Sequence, residues 1–325
     1  MTDTMKAVIY NQYGSPDVLK LEEVRKPVPK KGEVLIKVHA ATATAGDINI
    51  RGFTFVPKGM RFLPRLVFGL FRPRRKILGT EVAGEVVAVG KGVTRFQVGD
   101  AVFGIGSLNL GAYAEYVCRP AKGGLAHIPE GFSFEEAAAT PFGAGTALYF
   151  LKDLGKLQPG QTVLVNGASG GVGNYTVQLA KAFGAEVTGV CSTRNVELVR
   201  EFGADHVIDY TKEDFTQNHG EYDLIVDTVY EGTTYERCKQ ALKPNGHYLS
   251  VAGGLGVMWQ SLWNKQILTG TPKESLENIV LLGELLEQGK IKPFIDRRYD
   301  LKDTAEAHRY VETARKRGNV VIAMG

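Results

Sequence analysis

The chain has 325 residues, of which 44% are hydrophobic and 23% charged, and its formal net charge is +4. This length predicts two domains of ordinary size, and the composition is typical of a soluble globular protein. No apolar run approaches the roughly 20 residues that cross a bilayer, and the N-terminus has no secretory-signal pattern, so we expect a cytoplasmic location.

The three cysteines, Cys118, Cys191 and Cys238, are far apart in the sequence. They show no metal-ligand spacing, and their odd number argues against a disulfide framework. The positive charge is local: residues 51–76 contain eight basic residues and no acidic one, which leaves the other 299 residues at −4. A basic surface spread over a domain, as nucleic-acid binding requires, is therefore not expected.

Residues 5–125 read as short antiparallel strands separated by glycine and proline turns. The predicted strands are residues 6–10, 34–40, 82–89, 101–104 and 112–118. Irregular strands joined by such turns predict a β-rich, partly closed barrel.

Helices and parallel strands are predicted next. Ser133 and Glu136 have the spacing of a capping box, and Pro141 should divide the helical pattern that follows into two helices. From residue 161 onward strands alternate with helices, and the predicted strands are 162–165, 186–190, 206–209, 224–227 and 247–251. This alternation predicts a doubly wound parallel sheet.

The first of these units, residues 161–181, is a strand, a turn with four glycines and a helix. The glycines are Gly167, Gly170, Gly171 and Gly173. This order places backbone N–H groups and a helix N-terminus around one point, which favours a phosphate or pyrophosphate. A tight turn without a ligand is the alternative, but the context predicts dinucleotide binding.

The end of the second strand bears on the choice of cofactor. NAD-selective sites usually place an Asp or Glu about 20 residues after the glycines. Here Cys191, Ser192, Thr193 and Arg194 stand at that place. Two hydroxyls and a guanidinium suit a 2′-phosphate, so NADPH is favoured over NADH. Residues 192–195 also suit the cap of the next helix, and both interpretations can hold.

The C-terminal segment is predicted to contain two helices and a strand. Thr271, Pro272 and Glu274 predict the start of the first helix, and Asp303 and Glu306 that of the second. The residues expected on one face of the first helix are Leu276, Ile279, Val280 and Leu286. Residues 320–323 read as a closing strand that should return to the first domain. The predicted domains are therefore 1–126 with 266–325, and 127–265, with the cofactor in the cleft between them.

Three stretches together carry a resemblance to a known family. They are LGTEVAGEVVAVGKGVTRFQVGDAVFG, GASGGVG and the ending from GKIKPFIDRRYD to RGNVVI. The chain resembles the medium-chain dehydrogenase/reductase superfamily, and within it the zinc-less quinone oxidoreductase and zeta-crystallin branch. The resemblance covers almost the whole chain. It implies a GroES-like catalytic domain, a Rossmann domain and hydride transfer from a nicotinamide, often in a homodimer.

The resemblance also bears on the metal. Zinc alcohol dehydrogenases of this superfamily place ligands where this chain has Thr44, Thr80 and Gly143. None of these provides the thiolate or imidazole that zinc prefers, so we expect no metal site. Without a Lewis acid a conjugated acceptor is the better substrate, because its charge is delocalised as an enolate or phenolate. We therefore expect an NADPH-dependent reductase of small lipophilic quinones or α,β-unsaturated carbonyls.

The resemblance implies which residues meet the cofactor. Thr44 and Thr146 should lie near the nicotinamide, Ser192 and Arg194 at the 2′-phosphate, and Tyr210 beside the adenosine. The other implied cofactor contacts are Ser169, Gly170, Gly171, Val172, Gly173, Gly253, Gly254 and Asn319. Ordinary turn chemistry is the alternative for each Gly or Thr, and packing alone is the alternative for Tyr210.

Asp47 is the single ionisable residue that we expect in the active site as a catalytic group. A structural carboxylate that only accepts hydrogen bonds is the alternative interpretation. In that case solvent supplies the proton.

The basic segment 51–76 departs from the compact loop of better-known family members. Five phenylalanines are interleaved with its eight cations, and three prolines exclude one long helix. One interpretation is a lid over the substrate pocket. The other hypothesis is peripheral membrane contact, with Phe and Leu in the bilayer surface and Arg and Lys on anionic headgroups.

Two further functions stay open. One is an alcohol/aldehyde or enoyl-thioester reductase of the same superfamily, and the other is an NADPH-binding protein with little turnover.

Overall fold

A computed structural model describes residues 3–54, 69, 72–106, 109–229, 234–273 and 275–325. The chain divides into two compact units. Unit 1 comprises Met1–Phe142, Glu274–Glu287 and Pro293–Gly325, and unit 2 comprises Gly143–Lys273 and Gln288–Lys292. None of the helices described is long and apolar enough to cross a lipid bilayer.

Unit 1 is built on strands that are mostly antiparallel. Their bounds are β1 Thr4–Ile9, β2 Lys20–Arg25, β3 Glu33–Thr42, β4 Glu81–Val89, β5 Ala101–Ile105, β6 Tyr116–Pro120, β7 Leu125–His127, β14 Ile295–Asp300 and β15 Asn319–Ala323. β1 pairs with β2, and the larger sheet has the order β14-β15-β3-β4-β5-β7, with β6 also paired to β3. The β-rich fold predicted for this part of the chain is confirmed.

The last strand belongs to the sheet of unit 1. β15 pairs antiparallel with β3, with Val321 opposite Thr42 and Ala323 opposite Ala40. This confirms that the C-terminal strand returns to the N-terminal sheet. The core beneath it is made by alternate residues of β3, Val34, Ile36 and Val38, which pack with Val82 and Val86 of β4.

Unit 2 contains a parallel sheet. Its strands are β8 Thr162–Asn166, β9 Glu186–Cys191, β10 His206–Asp209, β11 Tyr222–Asp227, β12 Leu242–Ser250 and β13 Ile267–Leu268. They lie in the order β10-β9-β8-β11-β12-β13, and all neighbours are parallel. The predicted doubly wound sheet is confirmed, and the strand order reverses between β8 and β11, where such sheets bind ligands.

The helices complete the two units. Their bounds are α1 Ala45–Gly52, α2 Phe134–Ala138, α3 Pro141–Leu148, α4 Gly173–Ala182, α5 Val196–Glu201, α6 Tyr235–Cys238, α7 Leu255–Ser261, α8 Leu276–Glu287 and α9 Thr304–Glu312. The capping box of Ser133 with Glu136 is present at α2, and Pro141 begins a separate helix, as predicted. α3 continues into a π-helical turn, Tyr149–Leu154.

The strand predicted at residues 112–118 is wrong in its start, because β6 begins at Tyr116. The preceding backbone groups bond to two different segments. Tyr113 N donates to Leu78 O (3.0 Å), while Glu115 N donates to Lys6 O (3.0 Å). Ala114 forms an isolated antiparallel bridge with Ala7 of β1, while Tyr113 N bonds to Leu78, so a regular ladder does not extend back to Ala112.

The predicted start of α8 at Thr271 is also wrong. The helix begins at Leu276, and the Ser275 hydroxyl accepts a hydrogen bond from Asn278 N at 3.1 Å. Its buried residues are Ile279, Leu282, Gly283, Leu285 and Leu286. Val280 is 40% exposed because it lies one residue, about 100°, around the helix from Ile279.

Candidate active site

The glycine turn of unit 2 joins β8 to α4. Gly167 has a φ of +81°, and a Cβ on Gly173 would lie 2.1 Å from Gly167 O. Gly170 N closes the turn by donating to Gly167 O at 3.0 Å. Such a close approach of two backbone segments requires glycine at Gly173. The predicted cofactor contacts in this turn are Ser169, Gly170, Gly171, Val172 and Gly173.

The turn offers backbone donors at the start of α4. Among the described residues, the N–H groups of Gly171, Val172 and Gly173 donate to no other protein atom. Asn174, which is fully buried, braces the turn by donating to Gly170 O (2.7 Å) and Gly171 O (3.0 Å). These free N–H groups and the helix N-terminus suit an anion such as a pyrophosphate.

A side chain that follows β9 is hydrogen-bonded to the same turn, and the sequence analysis missed this contact. Asn195 is 4% exposed, and its Nδ2 donates to Ser169 Oγ (3.0 Å) and Ser192 Oγ (3.3 Å). Ser192 and Asn195 are the N-cap residues of the following turn and of α5, but neither side chain makes a capping hydrogen bond. The predicted residues Ser169 and Ser192 are therefore brought together, and Arg194 is exposed beside them.

A carboxylate that the sequence analysis also missed lies next to this turn. Asp209, the last residue of β10, accepts hydrogen bonds from Thr193 Oγ1 (2.6 Å) and Thr211 Oγ1 (2.7 Å). The bond from Thr193 is the largest of the causes that lower the pKa of Asp209 to about 2. Lys212 lies 3.4 Å away as a counter-charge. Tyr210, the predicted adenosine neighbour, follows directly and is 61% exposed.

Three other predicted residues of unit 2 lie on helices or at helix starts. Thr146 is buried on α3. Gly253 has no room for a side chain, because its Cβ would meet Ser250 Oγ at 2.6 Å, whereas a Cβ on Gly254 would meet open space. Gly254 is the N-cap residue of α7.

In unit 1, Asp47 is the centre of a buried polar cluster. Its Oδ2 accepts from Thr44 N (3.0 Å), Thr44 Oγ1 (2.6 Å) and Thr80 Oγ1 (3.5 Å), and its Oδ1 accepts from Gly79 N (3.2 Å). Asp47 N donates back to Thr44 Oγ1 at 3.1 Å, so the two residues form the capping box of α1. Burial raises the pKa of Asp47, and the hydrogen bonds oppose that rise.

A second buried carboxyl, Glu81, lies in the same unit and was not predicted. It is hydrogen-bonded to Thr42 Oγ1, and its Oε1 accepts from Phe142 N at 2.6 Å. Burial raises the pKa of Glu81 to about 8. Burial also lowers the pKa of Lys316 to about 8, while the carboxylate of Glu81 acts in the opposite direction. The sequence signal was an acidic residue within an otherwise apolar strand, EVAGEVVAV.

A polar chain of buried side chains adjoins this cluster. Arg51 donates to Gly14 O (3.0 Å) and contacts His308 Nδ1 (3.0 Å), and it also pairs with Glu312. Tyr113 Oη lies 3.0 Å from His308 Nε2 and donates to Thr42 O at 3.1 Å. Burial and the charge of Arg51 lower the pKa of His308 to about 3, so the ring is neutral. Its Nδ1 therefore accepts from Arg51, and its Nε2–H donates to Tyr113.

Asn319, the remaining predicted contact, is the first residue of β15. It is 7% exposed, and its Nδ2 donates to Phe294 O at 3.3 Å.

Comparison with known proteins identifies the family. A profile described as "Alcohol dehydrogenase GroES-like domain" matches residues 30–130, and one described as "Zinc-binding dehydrogenase" matches residues 202–322. A Solanum lycopersicum protein named "2-methylene-furan-3-one reductase" is 35% identical over 337 residues, which cover 98% of this chain and 79% of that protein. The chain belongs to the medium-chain dehydrogenase/reductase superfamily.

Solved structures of this superfamily match the whole chain. The quinone oxidoreductase of Coxiella burnetii has a TM-score of 0.87 at 31% identity, with 99% of this chain and 100% of that chain covered. A structure titled "NAD-dependent alcohol dehydrogenase" has a TM-score of 0.84 at 30% identity, with 99% and 100% covered. The protein is thus an oxidoreductase with a GroES-like unit, a Rossmann unit and a nicotinamide cofactor.

The donor set of this oxidoreductase does not fit zinc, although one matching profile carries zinc in its description. Thr44 and Thr80 hydrogen-bond to Asp47, and a Cβ on Gly143 would lie 2.4 Å from Gly171 O. Across the described ranges, no group of three or more His, Cys, Asp or Glu side chains is arranged to hold a metal ion. Hydroxyls and a glycine do not replace thiolate and imidazole ligands.

The basic segment 51–76 of the oxidoreductase falls largely outside the described residues. Residues 55–68, 70 and 71, on which the lid and membrane-contact hypotheses rest, are among those not described. Of the remainder, Gly69 O accepts a hydrogen bond from Tyr13 Oη at 3.1 Å.

Proposed function

We propose that this protein is a zinc-independent, NADPH-dependent reductase of quinones or α,β-unsaturated carbonyls. The observation that carries the proposal is the buried cluster of Thr44, Asp47 and Thr80. Where zinc enzymes of the superfamily hold their metal, this cluster offers two hydroxyls and one carboxyl whose oxygens already accept hydrogen bonds from the protein. Reduction of a simple carbonyl without a Lewis acid leaves an alkoxide with localised charge. A conjugated acceptor delocalises that charge, so it needs less help from the protein.

The proposed cofactor fits the glycine turn and the end of β9. The free N–H groups of Gly171, Val172 and Gly173 would bind the pyrophosphate. Ser169, Ser192 and Arg194 would bind the 2′-phosphate, and no carboxylate occupies the place of Ser192 to repel it. When bound, NADPH supplies the hydride.

For the other proposed cofactor contacts, the support is the resemblance to the family. Thr44, Thr146, Gly253, Gly254 and Asn319 would serve the nicotinamide half. Tyr210, which is exposed, would stack on the adenosine.

We further propose that Asp47 organises the site and that solvent supplies the proton. The carboxyl oxygens of Asp47 accept from Gly79 N, Thr80 Oγ1 and both the N–H and the hydroxyl of Thr44. A carboxyl with this many protein partners is held in place and gives little access to a substrate. Its role is to fix Thr44 and the backbone at Gly79.

Names of relatives support the acceptor class. One relative is named a 2-methylene-furan-3-one reductase, and a structural neighbour is named a quinone oxidoreductase. The furanone and the quinone in these names are both conjugated acceptors. Another neighbour is named an NAD-dependent alcohol dehydrogenase, which keeps the alcohol/aldehyde alternative and NADH under test. The homodimer, the cytoplasmic location and the membrane contact of residues 51–76 stay predictions.

A substrate panel tests the proposal. Oxidation of NADPH and NADH is measured with quinones, short enones, aldehydes and crotonyl-CoA, before and after dialysis against a chelator, with the zinc content of the protein determined. We expect turnover of quinones or enones, a lower KM for NADPH, and no change on chelation. Turnover of aldehydes alone, or stoichiometric zinc, would contradict the proposal, and cofactor binding without turnover would favour the binding-protein alternative.

A further inference from the structure

Asn195 links the two turns that would surround the adenosine of the cofactor. Ser169 lies in the glycine turn and Ser192 follows β9, 26 and 3 residues away from Asn195 in sequence. The amide Nδ2 of Asn195 donates one hydrogen to each hydroxyl oxygen, at 3.0 and 3.3 Å. Because an amide has two N–H hydrogens, both are used by this pair of serines.

With the amide in this orientation both hydroxyl oxygens accept, and Asn195 Oδ1 is buried with no hydrogen-bond partner among the described residues. A serine oxygen that accepts from an N–H group keeps its own hydrogen for another acceptor. In the described parts of the chain, neither Ser169 nor Ser192 donates that hydrogen to a protein group. Two O–H donors held by a side chain that is 4% exposed are therefore left for a ligand.

We propose that Asn195 is a positioning residue that turns Ser169 and Ser192 into paired donors for the 2′-phosphate of the cofactor. This inference rests on the proposed preference for NADPH. A phosphate monoester only accepts hydrogen bonds at its charged oxygens, so it requires donors and is sensitive to their polarity. A ribose 2′-hydroxyl can donate or accept, so it is far less sensitive. Asn195 thus selects for the phosphate without contacting it.

The neighbouring charges are compatible with this role. Arg194, exposed beside Ser192, contributes a cation to the site. The carboxylate of Asp209 is near through Thr193, but Thr193, Thr211 and Lys212 bind it. Its negative charge is therefore partly offset within the protein.

The variant Asn195→Asp tests the inference, because it keeps the shape of the side chain and reverses its polarity. A carboxylate at this position would accept from both serines and turn their hydrogens away from the ligand. Binding of 2′,5′-ADP, which carries the 2′-phosphate, and of 5′-AMP, which lacks it, is measured by calorimetry. We expect a loss of at least about tenfold in affinity for 2′,5′-ADP and less than about threefold for 5′-AMP.

Two further variants separate polarity from charge and from folding. Asn264→Asp adds the same charge in unit 2, where the side-chain oxygen already accepts from Gln266 N, and should leave both affinities unchanged. Asn195→Ala adds no charge and should still lose affinity selectively for 2′,5′-ADP, by a smaller factor. When Ser169 and Ser192 are both replaced by Ala, Asn195→Asp should have little additional effect.

The outcomes distinguish this inference from the proposed function. If the unchanged protein binds 2′,5′-ADP and 5′-AMP equally, the NADPH preference fails and this inference fails with it. If the unchanged protein prefers 2′,5′-ADP but Asn195→Asp and Asn195→Ala weaken both nucleotides equally, or neither, the inference alone is overturned. A loss that persists in full in the double-alanine background would show charge repulsion and would also overturn it.

Discussion

Replacement of Glu81 by Gln should stabilise the protein at neutral pH. Glu81 is 1% exposed, and burial raises the pKa of its carboxyl to about 8 from an ordinary value of 4.5. At pH 7 the folded protein therefore carries the protonated acid, whereas the unfolded chain carries the carboxylate. Glutamine has the same shape and is neutral in both states. Its Oε1 can accept from Phe142 N, and its Nε2 can donate to the Thr42 hydroxyl, which donates to Glu81 in the unchanged protein.

The magnitude follows from linkage between protonation and folding. A raised pKa in the folded state gives stability that is present in full below pH 4.5 and is lost as the pH rises through about 8. Each pH unit in that window changes the free energy of unfolding by about 1.4 kcal/mol, so Glu81→Gln should be more stable than the unchanged protein by about 3 kcal/mol at pH 7. The two proteins should be equally stable near pH 4.5.

The assay is urea denaturation of both proteins between pH 4.5 and 8. The quantity to follow is the difference in the free energy of unfolding between the two proteins. His308 adds to both proteins a pH dependence opposite in sign to that of Glu81, and this contribution cancels in the difference. Burial lowers its pKa to about 3, so stability from His308 falls as the pH drops below 6.5. Glu85→Gln, on the same strand at a half-buried position, is the matched control and should show no such difference. If Glu81→Gln is less stable at pH 7, Glu81 is ionised in the folded protein, and the reasoning is refuted.

Two further substitutions test the glycine turn and the polar chain. Gly173→Ala should raise the Kd for NADPH by at least about tenfold. The added methyl group would clash with Gly167 O, so the start of α4 must shift, and the N–H groups of the turn would then lose their hydrogen-bond geometry to the pyrophosphate. Gly256→Ala, where a Cβ meets open space, is its control in a fluorescence titration, and equal affinities would contradict the argument. Tyr113→Phe should destabilise unit 1 by about 1–3 kcal/mol in urea denaturation, since Thr42 O and His308 Nε2 lose their buried partner. Tyr116→Phe should be neutral, and a neutral Tyr113→Phe would show that the hydroxyl contributes nothing.

The sequence predicts strands well where burial imposes an apolar pattern. β8 is buried over Val163, Leu164 and Val165, and its run of apolar residues is unmistakable. β2 and β14 were not predicted because they are rich in charge and largely exposed. β2 pairs with β1 alone and β14 lies at the edge of its sheet, so neither needs two apolar faces.

The residues of the candidate site also fall into two groups, those indicated by a local sequence motif and those whose partners are distant in the sequence. The glycine turn and Ser192 were predictable because a short motif fixes them. Asn195 and Glu81 were not, because their roles depend on partners 26 and 39 residues away. Arg51 and His308 are 257 residues apart, and no local pattern indicates that one donates to the other. The buried polar residues that the sequence analysis missed therefore include those whose partners are distant in the sequence.

The direction of hydrogen bonds limits what each hydroxyl can do under the proposed function. The hydrogen of Thr44 Oγ1 is donated to Asp47 at 2.6 Å, and the same oxygen accepts from Asp47 N. Thr44 therefore has a lone pair left but no hydrogen, so it can accept from a ribose hydroxyl or an amide N–H and cannot donate to the developing oxyanion of a substrate. Ser169 and Ser192 have the opposite polarity, with oxygens that accept from Asn195 and hydrogens left for an anion. Thr44 therefore cannot supply the donor for the reduced oxygen, which agrees with the proposal that solvent supplies the proton and favours substrates that spread their negative charge over a conjugated system.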